Sequence, residues 1–287
     1  MKVIDIIKTN KPTLSFEVFP PKQIDNFESV KIAAEKIAEL SPSYMSITYG
    51  AGGGTSDFTI DLAEDLMQKG VTTLTHLTCV SSTEEKINQE LQKIKSKGIE
   101  NILALRGDIP ETLNKDEMHF TNAYQLIEKI KNFDNSFCIG GACYPETHPE
   151  SESSQADIQA LKTKVNSGCD FLTTQMFFDN NILYNFIMRL LKIGVDVPIV
   201  AGIMPVTNAK QIKRIMSISG SVLPQRFIRI VDRFADNPLA LKEAGIAYAT
   251  EQIIDLYANG INAVHVYSMN NPEVAQKIKN NLTEILK

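Results

Sequence analysis

The stretch TLSFEVFPPK, residues 13–22, decides how the rest of the chain is read. Leu14, Phe16 and Val18 alternate with Ser15, Glu17 and Phe19, the period of a β-strand, and Pro20 and Pro21 end it. Successive side chains of a strand point to opposite faces, so Ser15 and Glu17 share one face and the three apolar residues the other. An acid in a buried strand is costly unless it is paired, protonated or put to use. Glu17 is therefore the first candidate for chemistry. The two prolines stand where an open doubly wound sheet usually carries its nucleotide-binding glycines, which argues for a closed barrel instead.

Working outward, the alternation of strand and helix continues to the end. Residues 27–40 repeat apolar positions at helical spacing, and YMSITYG (44–50) is a second strand ending in the glycine-rich turn AGGGT. Residues 58–69 are helical with Gly70 as C-cap, TTLTHLTCV (72–80) is a third strand, and a helix runs from Thr83 to Gly98. Thr83 opens a capping box with Lys86 where the acid belongs, an incomplete cap. Strands follow at 101–107, 137–144, 171–178, 198–205 and 263–269, with helices near 124–131, 154–167, up to 191, 208–218, two within 224–259, and 272–286. Eight such units in 287 residues predict a (β/α)8 TIM barrel, one domain over residues 1–287. No linker, charge block or low-complexity segment divides it.

Composition narrows the class. A hydrophobic fraction of 43% supports a large core, and a net charge of -5 leaves no footprint for nucleic acid or an anionic membrane. The run MKVIDIIKTNKP carries Asp5 and Lys8, unlike a signal peptide or anchor, and the longest uncharged stretch is short of the roughly 20 residues a spanning helix needs. Cys79, Cys138, Cys143 and Cys169 form no CxxC pair and no metal spacing, which suits reduced thiols and a cytoplasmic location; no metal site is expected.

The strands carry polar residues where a barrel interior is normally filled by branched apolar ones. Ser15, Glu17, Ser46, Thr48, His76, Thr78, Arg106, Asp108, Thr173, Gln175 and His265 fall mostly towards strand C-termini, the end at which barrel enzymes place their chemistry. Together they point to a polar ligand at the barrel mouth. His76 has no second ligand at metal spacing, so a hydrogen bond to a cofactor or a satisfied core position is expected. AGGGT lacks the GK[ST] ending of a P-loop, and His148 in YPETHPES lies just before a helix, where a phosphate or a plain capping loop fits equally. Asp108 is either an exposed turn residue or a second carboxylate facing the same space as Glu17. In a shared dry pocket the two acids would have their proton affinities pushed apart. Pattern alone reaches acid–base chemistry on a polar ligand and stops there.

The motifs SFEVFPPK, SITYGAGGGT, THLTC, ALRGDIP, CYPETHPES, TTQMFFD and AGIMPVTN occur in the order found in methylenetetrahydrofolate reductases of the short bacterial type, and the chain resembles the catalytic barrel of that family from first strand to last. The resemblance implies FAD at the barrel mouth and reduction of 5,10-methylenetetrahydrofolate to 5-methyltetrahydrofolate, with NADH or NADPH, or a partner subunit, re-reducing the flavin. It implies Glu17 as general acid and Asp108 as a residue tuning the flavin and orienting the folate. By the same carry-over, Thr48, Tyr49, Ala51, His76, Arg106, Gly107, Asp108, Tyr144, His148, Asp157 and Lys164 would contact the flavin, and Gln175 and Gln211 the folate. A homo-oligomer is expected, with a partner subunit left open. Thr163 stands where a basic neighbour of Lys164 is often found, Ile215 replaces an aromatic, Asn271 replaces an arginine, and residues 118–125 match the family's YA-type stretch poorly. Two other readings stay open: a pterin-binding methyltransferase barrel without flavin, and a non-catalytic flavin- or pterin-binding subunit of a complex.

Overall fold

Eight parallel strands pair in chain order, and the last closes on the first, forming the barrel that the alternation predicts. The computed structural model describes residues 1–21, 27–49, 56–110, 113, 118–212, 215 and 222–287. The strands are β1 (Thr13–Val18), β2 (Met45–Ile47), β3 (Thr73–Thr78), β4 (Asn101–Leu105), β5 (Cys138–Cys143), β6 (Phe171–Thr174), β7 (Ile199–Ile203) and β8 (Ala263–Tyr267). Around them run α2 (Phe27–Ala38), α3 (Ser56–Gln68), α4 (Glu84–Ser96), α5 (Ala123–Phe133), α6 (Ser154–Asn166), α7 (Asn180–Lys192), α8 (Gln225–Phe234), α9 (Pro238–Ala258) and α10 (Pro272–Asn281). Most strands end short of their sequence-derived C-terminal limits, because the polar residues there leave the ladder to build loops. The expected helix over 208–218 falls largely outside the described residues, as does the AGGGT turn.

Period-two alternation sorts the strands into two cores. Leu14, Phe16, Val18, Met45, Ile47, Leu77, Ile102 and Ala104 face outward and are buried under the helices. The opposite parity faces the barrel axis, and its lower layer is apolar: Leu74, Leu103, Cys138, Phe171, Val200 and Ala263. Gly140 makes room there, since a Cβ at this position would lie 2.6 Å from the Phe171 ring. The N-terminal run folds into a short helix, α1 (Val3–Ile7), whose Val3 and Ile7 cap this layer. Asn101 ties it down, accepting from the Val3 N–H at 2.7 Å and donating to the Thr73 carbonyl at 3.0 Å. The barrel is thus sealed at its N-terminal end, which leaves the C-terminal end for ligands.

Local signals read from the sequence reappear as bonds. Thr83 accepts from the Lys86 N–H at 3.3 Å, the one half of a capping box its sequence permits. All four cysteines are free and buried. Among the described residues no helix is long and apolar enough to cross a membrane.

Candidate active site

Above the apolar layer the barrel opens into a chamber of about 260 Å3, lined among others by Glu17, His76, Thr173, Gln175, His265 and Tyr267. Glu17 is brought there by the parity of β1, opposite Tyr267 in the β1–β8 register. Its side chain is 20% exposed, and burial pushes its pKa up to about 8. His76 Nε2 lies 3.7 Å from a Glu17 oxygen, too far for a hydrogen bond, and has no partner among the described residues although buried. Burial pushes the His76 pKa down to about 3. Near neutral pH the two therefore face each other as carboxylic acid and neutral imidazole, not as an ion pair. The chamber holds a proton donor beside an unused hydrogen-bonding nitrogen.

Beneath Glu17 lies a satisfied polar layer. Ser15 Oγ donates to the Val264 carbonyl at 3.0 Å and lies 2.7 Å from His265 Nδ1, while Ser46 Oγ lies 2.8 Å from Nε2. With the Ser15 proton spent on Val264, His265 donates from Nδ1 to Ser15 and accepts from Ser46 at Nε2. Burial pushes its pKa down to about 3, and Tyr44 stacks on its ring. His265 is a core histidine that fixes the chamber floor. On the far wall Tyr267 donates to the Thr174 carbonyl at 2.5 Å, passing over Gly202, where a Cβ would lie 2.5 Å from the phenol oxygen.

The chamber continues past Leu105, Ala142 and Tyr144 into an outer groove of about 580 Å3 between α5 and α6. Arg106, Gly107, Asp108, Tyr144, His148, Asp157 and Lys164 all line it. Gly107, at φ +89, turns the chain out of β4, and a Cβ there would crowd Thr78 at 3.1 Å. His148 Nδ1 accepts from the Glu150 N–H at 3.1 Å, which leaves Nε2–H as its donor, and Tyr144 packs edge-on against the ring. Asp157 is buried and accepts from the His148 N–H, and burial raises its pKa. Lys164 donates to the Ala142 carbonyl at 2.5 Å, and burial lowers its pKa. Arg106 forms a two-pronged pair with Glu150, at 2.7 and 2.8 Å.

Several expectations require correction. Asp108 is exposed and lines the outer groove, not the chamber, so burial and not a second carboxylate raises the Glu17 pKa. Arg106 lies beyond the end of β4 and lines the outer groove, while Leu103 and Leu105 of β4 line the chamber. Thr78 lines neither cavity, and its strand contributes His76 instead. Gln211 Oε1 accepts from the Thr207 and Asn208 N–H groups at 2.7 and 3.2 Å in a capping box, and Gln211 is not among the described residues that line the chamber. Tyr49 packs against the outer core, Thr48 is half-buried at the top of β2, and Ala51 lies outside the described residues.

The departures also find places. Thr163 bonds back to the Gln159 carbonyl, Ile215 is buried with Met176, Phe178, Val206 and Phe227, and Asn271 caps α10 through the Val274 N–H. Asn122, Ala123 and Tyr124, from the stretch that matches poorly, line the groove. Sequence reasoning missed Tyr267, Met204 and Glu150. Tyr267 was accessible, since it shares the inward parity of His265; Glu150 was not, because only the fold brings it to Arg106.

Comparison with known proteins places this architecture. The family model described as methylenetetrahydrofolate reductase matches residues 2–283. A methylenetetrahydrofolate reductase (NADH) of Arabidopsis thaliana is 37% identical over 98% of the chain, which spans 51% of that protein. The 5,10-methylenetetrahydrofolate reductase of Escherichia coli is 32% identical over 92% of the chain and 88% of its own length. The chain thus spans about half the length of the plant relatives and most of the bacterial one. A solved protein from Clostridium thermocellum that binds two copies of 5-methyl-5,6,7,8-tetrahydrofolic acid superposes with a TM-score of 0.65 over 99% of both chains; at 13% identity this shows the fold alone. By the extent of the family match and the bacterial relative, this chain belongs to the methylenetetrahydrofolate reductase family.

Proposed function

We propose that this barrel reduces 5,10-methylenetetrahydrofolate to 5-methyltetrahydrofolate, with FAD as hydride carrier and NADH, NADPH or a partner subunit as electron source. The observation that carries the reading is a carboxyl group, Glu17, kept protonated to about pH 8 in a chamber beside a His76 nitrogen that has no partner among the described residues. Opening a methylene bridge between two nitrogens requires a proton on the nitrogen that leaves, and an acid protonated at neutral pH suits that task. A protein of similar fold from Clostridium thermocellum binds 5-methyl-5,6,7,8-tetrahydrofolic acid, which is in keeping with a folate ligand for this barrel.

A flavin dinucleotide fits the residues present. The outer groove leads into the chamber past Tyr144 and offers the His148 Nε2–H and the half-buried Lys164 to phosphate, with Arg106, held by Glu150, beside them. When bound, the flavin would supply the hydride that turns the methylene carbon into a methyl group. Glu17 would give its proton to the departing nitrogen. Gln175, whose Oε1 accepts from the Met176 N–H at 2.9 Å and whose side chain also bonds Tyr144, lines the chamber and would orient the pterin. Asp108, on the groove rim, would face the flavin's polar edge from solvent.

The test uses the purified chain. It should be yellow, or become so with FAD, and mixing chemically reduced protein with methylenetetrahydrofolate should reoxidise the flavin. Glu17→Gln should slow that step by about 10²-fold or more while reduction by NADH or NADPH persists. A chain that cannot be loaded with FAD would refute the reading and favour a flavin-free barrel.

A further inference from the structure

We propose that Ser268 and Asn270, on the loop leaving β8, are positioning residues that hold Glu17 at the chamber by clamping the backbone of β1 on both sides of Val18. The inference deepens the proposed function and rests on it for Glu17's role as the acid.

The β1–β8 ladder ends at the pair Glu17 and Tyr267. Beyond it β1 has no backbone partner on that side among the described residues, yet the chain stays in line, because side chains continue the ladder. Ser268 Oγ, in a buried residue, donates to the Glu17 carbonyl at 2.5 Å. Asn270 accepts from the Phe19 N–H at 2.9 Å and donates to the Phe19 carbonyl at 2.8 Å, a two-pronged mimic of a neighbouring strand. On the other side the Thr48 N–H donates to the Val18 carbonyl at 3.0 Å. Glu17 and Val18 at the end of β1, and Phe19 just beyond it, are thereby held in line.

The loop is bent for this purpose. Met269 and Asn270 both lie in the left-handed region, at φ 54 and 52. That conformation is unfavourable for a methionine and tolerated by asparagine, and two in succession persist only where surrounding bonds hold them. Among side chains only a primary amide offers a donor and an acceptor in the fork that Phe19 meets, and asparagine is the shorter of the two that carry one. Asn271, next in line, donates its N–H to the Ser268 carbonyl and caps α10, which anchors the clamp to a helix. The titratable groups that line the chamber with Glu17 are His76 of β3, Tyr144 after β5, and His265 and Tyr267 of β8; none of these contacts the clamp through a bond described above.

The test pairs Asn270→Gly, which keeps the left-handed turn and deletes the amide, with Ser268→Ala. Folate-dependent reoxidation of the reduced flavin should fall about ten- to a hundredfold in kcat, with folate KM and flavin reduction by nicotinamide changed less than about twofold. The limb of the pH–rate profile that reports the acid should move in both variants. Asn270→Asp, which keeps the acceptor for the Phe19 N–H, should recover part of the loss. Wild-type kcat in both variants, or equal loss of both half-reactions in step with Tm, would overturn the proposal. A 13C titration of the Glu17 carboxyl, with neither folate nor flavin added, separates the two readings. A titration that moves in Asn270→Gly while the wild type shows no folate turnover would sink the function and keep the clamp. An unmoved titration would sink the clamp alone.

Discussion

A carboxyl that ionises near 4.5 in the unfolded chain and near 8 when folded makes stability depend on pH. Glu17 contributes fully below about pH 4.5, and the contribution is lost as pH rises through 8. His76 and His265 act on the opposite flank: with folded values of about 3, theirs is fully present above 6.5 and lost as pH falls towards 3. Glu17→Gln removes that loss, so its Tm should gain progressively on the wild type between about pH 4.5 and pH 8, by roughly 2–4 °C for each kcal/mol released. A Tm difference that is flat across that range would place Glu17 in contact with solvent. At this scale the alternation of residues 13–18 was enough to single out Glu17 and to place it inward. It could not show that Asp108 stands apart from it, because parity ends where the strand ends, and β4 stops at Leu105.

Among the elements, α9 shows how a local rule is overridden. Gly245 lies in the middle of this helix, where alanine normally gains about 1 kcal/mol. Here an added Cβ would lie 1.8 Å from the Val206 carbonyl in the loop that follows β7, and backbone cannot yield as a side chain can. Gly245→Ala should therefore destabilise the fold by about 1–3 kcal/mol, read as a lower midpoint in urea unfolding, where helix propensity alone predicts a rise. The sequence predicts two helices within 224–259, the second of which is α9. It gave no hint of the close approach, since that depends on a segment 39 residues away in the chain. Strand ends were overrun for a related reason: polar residues such as Gln175 continue the alternation after the ladder has stopped.

Over the whole molecule, function is divided along the barrel axis. The N-terminal end is closed by α1 and the apolar layer above it, and the C-terminal end holds the chamber and groove. Asn101 joins α1 to β3 and β4 through its bonds to Val3 and Thr73. Replacing it with alanine leaves a buried N–H and a buried carbonyl without their partner, a cost of about 1–3 kcal/mol. Asn101→Ala should lower Tm by several degrees, about 2–4 °C per kcal/mol, while flavin loading and folate-dependent reoxidation stay at wild-type values. Loss of flavin binding in step with Tm would show that the two ends are coupled.

By itself the sequence determined the architecture and the identity of its inward acid. Eight repeats of strand and helix period leave few ways to bury their apolar faces, and period two assigns each strand residue to one side. The tertiary structure alone decided which polar residues share a space. Arg106 and Glu150 meet across 44 positions, Glu17 and His76 across strands, and Asn270 reaches Phe19 from the far end of the chain. Those distances are set by barrel closure and by loop conformation, which no local period encodes.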